Sequence, residues 1–300
     1  MKKSIKNTLG NIKLFGFNGL SIYQVLSFLL KSIKNNNYRV KSSAIAFDLF
    51  LAVFPAIIFV VTLIPIIPIP NFQELLLEEI KIISPPSAYH LFENTLNNLI
   101  NNKYYGLLSL GLLLVIYYSS NALNTMIDVL NNSHLIQKEY KTIKQRLLSI
   151  ALFLKLFALI IITVFFNYGA EIIMNFFNQN FSVSFIDIVI NFSKWIFTIY
   201  SLLFAISLIF RYAQSDSFKL KFINAGTLTT LIVIVVASLL LSYFFNNFSN
   251  YNKVYGSIAG LLITLIWIRI CSFIIIVGFD LYLKIGLNDS EFFKNIKHEN

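Results

Sequence analysis

Six apolar runs divide the chain, over about residues 44–67, 105–123, 147–166, 185–210, 223–245 and 257–283. A helix needs roughly 20 apolar residues to cross a hydrocarbon core about 30 Å thick, and these runs come close to or exceed that length. The expected fold is an all-α membrane protein with six transmembrane helices, its membrane domain covering residues 44–283. Residues 1–43 precede it, and within them Leu20, Tyr23, Leu26, Leu30 and Ile33 recur at helical spacing. That stripe predicts an amphipathic helix lying on the membrane surface. The connector over residues 68–104 is long. It follows Pro65, carries Pro68 and Pro70 at its start, and is split by Pro85-Pro86. The flanking stretches Phe72–Ile83 and Tyr89–Ile100 read as two short extracytoplasmic helices bearing Glu74, Glu78, Glu79 and Glu93.

Composition strengthens this picture. Hydrophobic residues make up 57% of the chain and charged residues 13%, about half the share of an ordinary soluble domain. A soluble fold is thereby excluded. The net charge of +10 would suit nucleic acid, but its distribution points elsewhere. Lys2, Lys3, Lys6, Lys13, Lys31, Lys34, Arg39 and Lys41 precede the first run. Lys138, Lys141, Lys144 and Arg146 follow the second, Arg211, Lys219 and Lys221 the fourth, and Lys284, Lys294 and Lys297 the sixth. The alternate connectors hold only Lys81, Lys103 and Lys253. Basic connectors stay in the cytoplasm, so both termini are expected there, with residues 284–300 as a cytoplasmic tail. The first run starts too late for a cleavable leader and is expected to act as an uncleaved anchor. The expected partners of the basic segments are anionic lipids of the inner leaflet, not nucleic acid; homo-oligomerisation is left open.

Little enzymatic chemistry is in view. Cys271 is the single cysteine, and His90, His134 and His298 fall in separate connectors and the tail. No metal site is expected from such spacing, no phosphate-binding glycine loop implies a nucleotide, and no cofactor is called for. No nucleophile–base arrangement suggests an enzyme. What stands out is charge inside the spans, which is costly and usually functional: Lys155, Lys194 and Arg269 well inside, Asp48 and Asp280 near the cytoplasmic ends. Arg269 and Asp280 share a helix face but lie about 16 Å apart along it, so Arg269 needs a partner from another helix or an anionic ligand. One reading has Lys155, Lys194 and Arg269 forming a site for a phosphate or carboxylate headgroup. The other has the lysines snorkelling on their long stems and Arg269 pairing with an acid such as Asp48. Asp48 and Asp280 are candidates for proton coupling or ion pairing. Gly256 and Gly260 have the spacing of a close helix contact, Pro55 predicts a kink, and Asn121, Asn124 and Asn131 are spaced to cap or cross-link helices at the inner face.

Several segments, taken in order, together make a recognisable pattern. They are Ser43-Ala44-Ile45-Ala46-Phe47 leading to Phe54-Pro55, then Ser84-Pro85-Pro86, then Ser119-Ser120 with Leu130-Asn131. Tyr251-Asn252-Lys253-Val254-Tyr255-Gly256-Ser257 follows, with Trp267 and Gly278-Phe279-Asp280-Leu281 beyond it. With these segments the chain resembles the YihY/BrkB family of bacterial inner-membrane proteins over about residues 30–285. Asp280 stands where the family more often has Glu, and Arg269 where an apolar or aromatic residue is usual. The resemblance implies an inner-membrane envelope protein, with family links to lipid or lipopolysaccharide-precursor transport. A ribonuclease label also travels with the family and is regarded as a misassignment; this chain has no histidine and acid cluster to support it. The functional expectation is a transporter or flippase-like carrier of an anionic, lipid-like substrate. The alternative is a non-catalytic envelope scaffold.

The topology has a direct check. Reporters active in only one compartment, fused to each terminus, are expected to show both ends in the cytoplasm; a periplasmic signal from either end overturns the assignment.

Overall fold

The computed structural model describes residues 22–33, 36–63, 104–132, 142–180, 184–214, 221–247 and 258–288. All of the secondary structure among them is helical. The elements are α1 (Ile22–Ile33), α2 (Asn36–Leu63), α3 (Tyr105–Asn131), α4 (Thr142–Asn180), α5 (Ser184–Ala213), α6 (Ala225–Asn247) and α7 (Ile258–Asn288). Six of them, α2 to α7, are long and apolar enough to cross a membrane. In hydrocarbon only a helix satisfies every backbone polar group within one segment, which is why uninterrupted apolar runs become uninterrupted helices.

Each of the six helices packs on its neighbours in sequence, and α7 returns to pack on α2, so the spans form a closed circuit. With an even number of spans, α2 begins and α7 ends at the same end of the bundle. This end is called proximal below, and the opposite one distal.

Two elements begin or end far from the apolar runs. α4 is 39 residues long, about 58 Å at helical rise. It therefore outruns the apolar stretch 147–166 at both ends. α2 starts at Asn36, eight residues ahead of the apolar run. The extra turns are polar in sequence, yet Tyr38 and Ser42 in them are buried. Hydropathy cannot see such turns, because packing against α7 holds them rather than lipid. One consequence corrects the sequence reading. Asp48 lies midway along the candidate span Asn37–Val60, not near its end. The helix also runs on through Pro55, which is buried. The two short helices expected over 72–100 fall outside the described residues.

α1 forms as expected and also packs on the bundle. Val25 is buried with Ala225, Leu281 and Ile285, and Phe28 and Leu29 pack against this cluster. Leu30, assigned to the apolar stripe, is exposed, as a lipid-facing residue is. The helix is apolar on more than one side, and α6 and α7 take the face containing Val25, Phe28, Leu29 and Ser32.

The core sits in the proximal half. The largest fully buried side chains are Tyr282, Phe210, Phe279, Ile45, Ile127, Leu130 and Leu152. Phe210 meets Phe279 and Tyr282, each with ring centroids 5.3 Å apart. In the distal half, large side chains such as Phe165, Trp195, Leu240 and Tyr243 point outward, as lipid-facing positions do.

Two devices hold α7 in place. Tyr38 donates its hydroxyl hydrogen to the buried carboxylate of Asp280, tying the first span to the last. Gly226 lets α6 touch the backbone of α7, and Gly278 lets α7 take the Thr230 side chain of α6 against its own backbone. A Cβ on Gly226 would stand 2.5 Å from the Cα of Tyr282, and one on Gly278 would stand 2.0 Å from the Thr230 hydroxyl oxygen. Gly260, expected to serve helix packing, has open space where a Cβ would stand. It therefore seats no helix among the described residues, and Gly256 lies outside them.

Gly226→Ala is expected to destabilise the detergent-solubilised protein by about 1–3 kcal/mol, since the neighbour it strikes is backbone and cannot swing away. Gly260→Ala is expected to be neutral in the same thermal unfolding assay. Tyr38→Phe removes a donor from a buried carboxylate and is expected to cost about 1–3 kcal/mol, read as a lower unfolding midpoint.

Candidate functional site

The charged residues picked out from the sequence fall into three settings. Asp48 accepts a hydrogen bond from the Thr125 hydroxyl at 2.5 Å, linking α2 to α3. Asp280 belongs to the clasp with Tyr38. The three cations are spread along the bundle. Lys155 on α4 is exposed along its flank, with its ammonium 5.0 Å from the centre of the Tyr212 ring near the end of α5. Lys194 lies on α5, partly buried. Arg269 on α7 is exposed and has no hydrogen-bond or ionic partner among the described residues.

Helix register fixes their depths. Thr163 and Ser201 meet across α4 and α5 at 2.7 Å, which puts Lys155 level with about residue 209 of α5. Lys194 is then about 22 Å further along the bundle. The two lysines cannot share one headgroup site, and the expectation of a single three-cation site is corrected accordingly. Phe210 beside Phe279 and Tyr282 sets α5 and α7 parallel and puts Arg269 level with about residue 199. The order from the proximal end is Lys155, Arg269, Lys194, with steps of about 15 and 8 Å. Arg269 does not pair with Asp48. Antiparallel packing through Tyr38 and Asp280 places the two at similar depth, but the Asp48 carboxylate is engaged by Thr125 and the arginine faces out.

Sequence reading underrated a polar cluster between α2, α3 and α4 in the proximal half. Arg146 donates to the Asn121 side chain at 3.3 Å. Ser149 reaches the Asn124 amide oxygen at 3.3 Å, and Gln145 donates to the Asn124 backbone carbonyl at 3.3 Å. The arginine also lies 5.3 Å from the centre of the Tyr117 ring. The spacing of Asn121 and Asn124 did signal helix cross-linking; their partners on α4 had no sequence signature. Asn131 is buried, with neither amide atom hydrogen-bonded among the described residues. A second polar contact joins α4 and α5 more distally, where Asn167 donates to the Thr198 hydroxyl at 3.5 Å.

An apolar cavity of about 330 Å³ lies to one side of the circuit, lined by Leu29 of α1, Thr229, Thr230 and Val233 of α6, and Phe273, Ile274, Val277, Gly278 and Leu281 of α7. Among the described residues, no three of His, Cys, Asp and Glu gather to hold a metal ion.

The arrangement offers hydrogen bonds and positive charge at several depths, with exposed cations on otherwise apolar spans. Comparison with known proteins places it. A putative ribonuclease-like protein, YfkH, of Bacillus subtilis (strain 168) is 28% identical over 245 residues, covering 79% of this chain and 86% of its own. No solved structure matches. The profile of the family described as virulence factor BrkB matches residues 29–295. With six candidate spans and a match over most of its length, this chain is a multi-pass membrane protein of the virulence factor BrkB family.

Proposed function

We propose that the protein carries an anionic, lipid-like amphiphile between the two faces of the membrane. The observation behind this reading is Arg269. It lies nine residues from one end of the span Gly260–Gly286, about 13 Å deep, and it is exposed on an apolar helix. A cation at that depth is expensive unless an anion or water meets it. Lys155 and Lys194 place further positive charge on either side of it in depth. A phosphate or carboxylate headgroup could pass from one cation to the next while its chains remain in lipid, so no closed polar chamber is needed. Asp48, midway along its span and hydrogen-bonded to Thr125, is the acid best placed to exchange a proton with the driving gradient. In this reading the proximal end faces the cytoplasm, as its basic connectors require. Among the described residues no three of His, Cys, Asp and Glu gather for metal-assisted hydrolysis, and the ribonuclease-like name of the Bacillus subtilis relative is not carried over.

Reconstitution into liposomes with fluorescent phosphatidylglycerol tests the proposal. The wild-type protein is expected to move label between leaflets faster than empty liposomes, and Arg269→Ala to slow it at least tenfold. Wild-type flux no higher than background would favour a scaffold. Undiminished flux through Arg269→Ala would remove the arginine from the path.

A further inference from the structure

We infer that the cleft between α1, α6 and α7 holds a resident anionic phospholipid, with one acyl chain in the cavity and its phosphate against Lys31 and Lys284. The inference does not rest on transport, because a resident lipid need not cross the membrane.

The cavity has the right chemistry for a hydrocarbon chain. Its volume of about 330 Å³ lies at the lower end of the usual range for small-ligand pockets. Two threonines line it, yet neither brings a polar atom to its wall. Thr229 donates to the Ala225 carbonyl at 2.6 Å and Thr230 to the Gly226 carbonyl at 2.7 Å. Their hydroxyls are turned back into α6, leaving methyl groups for the occupant. Gly278 keeps the floor of the cleft thin, since a side chain there would strike Thr230.

The proximal edge of the cleft is positive. Lys284 follows the lining residue Leu281 by one helical turn, and its ammonium sits 4.0 Å from the centre of the Phe28 ring of α1. Lys31, one helical turn beyond Phe28 on the same side of α1, is exposed. Asp280, one turn back from Lys284, carries a counter-charge, but it is buried in the clasp with Tyr38. An apolar slot with two exposed lysines at its edge fits an amphiphile with an anionic head. In a membrane protein at this depth the abundant molecule of that kind is an anionic phospholipid. Its binding would pin α1 to the bundle at the level where α1 otherwise has only a small apolar contact.

The test uses the full-length protein, purified in a neutral detergent and titrated with phosphatidylglycerol, phosphatidylcholine or glycerol phosphate while thermal unfolding is followed. A ligand of the native state raises the midpoint in a saturable way. Phosphatidylglycerol is expected to bind about thirtyfold more tightly than phosphatidylcholine, the combined effect of two interfacial lysines. Glycerol phosphate alone is expected to give no shift. Lys31→Ala/Lys284→Ala, both at exposed positions, should abolish the preference for the anionic lipid. Val233→Phe should fill the slot and weaken both lipids. Equal affinity for the two lipids, an unchanged preference in the lysine variant, or a full shift with glycerol phosphate alone would each overturn the assignment. Should Val233→Phe fail to fold, the lysine variant and the headgroup control decide alone. The transport reading stands or falls separately, on flux.

Discussion

A helix pair inside hydrocarbon gains little by burying leucine against leucine, because the surrounding lipid is just as apolar. What holds such helices together is closer packing than lipid can achieve, and polar links that lipid cannot replace. In this protein both are concentrated on α7. Its backbone meets that of α6 at Gly226 and the Thr230 side chain of α6 at Gly278. The Tyr282 hydroxyl donates to the Gln214 amide oxygen at 3.0 Å, beyond the end of α5, and the Tyr282 carbonyl accepts from the Asn224 amide at 3.2 Å, at the start of α6. Asp280 receives the hydroxyl of Tyr38 from α2. The last span thus touches the first, the fourth and the fifth through groups that lipid could not substitute. Remove those links and the circuit has no reason to close.

The distribution of these links explains the uneven packing. Near the proximal end, side chains as large as Tyr282 and Phe279 are fully enclosed, and the polar cluster of Asn121, Asn124, Arg146 and Ser149 joins α3 to α4 there. Toward the distal end, the polar contacts among the described residues run chiefly between α4 and α5, through Thr163, Ser201, Asn167 and Thr198. The outward-facing Phe165, Trp195 and Leu240 leave lipid as the main packing partner there. Substrate movement by such a bundle would draw on its loosely joined half, since elements that move come from the less strongly held parts of a structure.

The sequence revealed the spans because the bilayer imposes a length and a composition on them. It concealed the parts held by packing. The first turns of α2 are polar in composition and are held against α7 by Tyr38, whose hydroxyl donates to Asp280, a partner 242 residues away. The docking of α1 was not foreseen, because several of its faces are apolar and only α6 and α7 select one. The glycine spacing in the last run pointed to Gly260, whereas the close contact is made by Gly278 and its counterpart Gly226 on α6. Spacing within one helix cannot say which side of it a neighbour will occupy. The intramembrane charges were legible individually, since a lone cation in an apolar run needs no alignment to be noticed. Their failure to converge was not, because it depends on the register between helices.

That staggered arrangement changes what the charges can do. Three cations at one depth would make a closed binding site and would need counter-charges whenever it stood empty. Spread over about 22 Å of the bundle, they are each met separately. Arg269 is the hardest to leave unmet. A lysine can snorkel or give up its proton in an apolar setting, but a guanidinium stays charged, and its cost falls only when an anion or water reaches it. Its partner cannot be Asp48, which is committed to Thr125, nor Asp280, about 16 Å along the same helix. Under the proposed function the group that meets it is a lipid headgroup, drawn inward to mid-depth by the arginine itself. Headgroups pulled to mid-depth are already partway across, which is why a single exposed arginine carries so much of the transport reading.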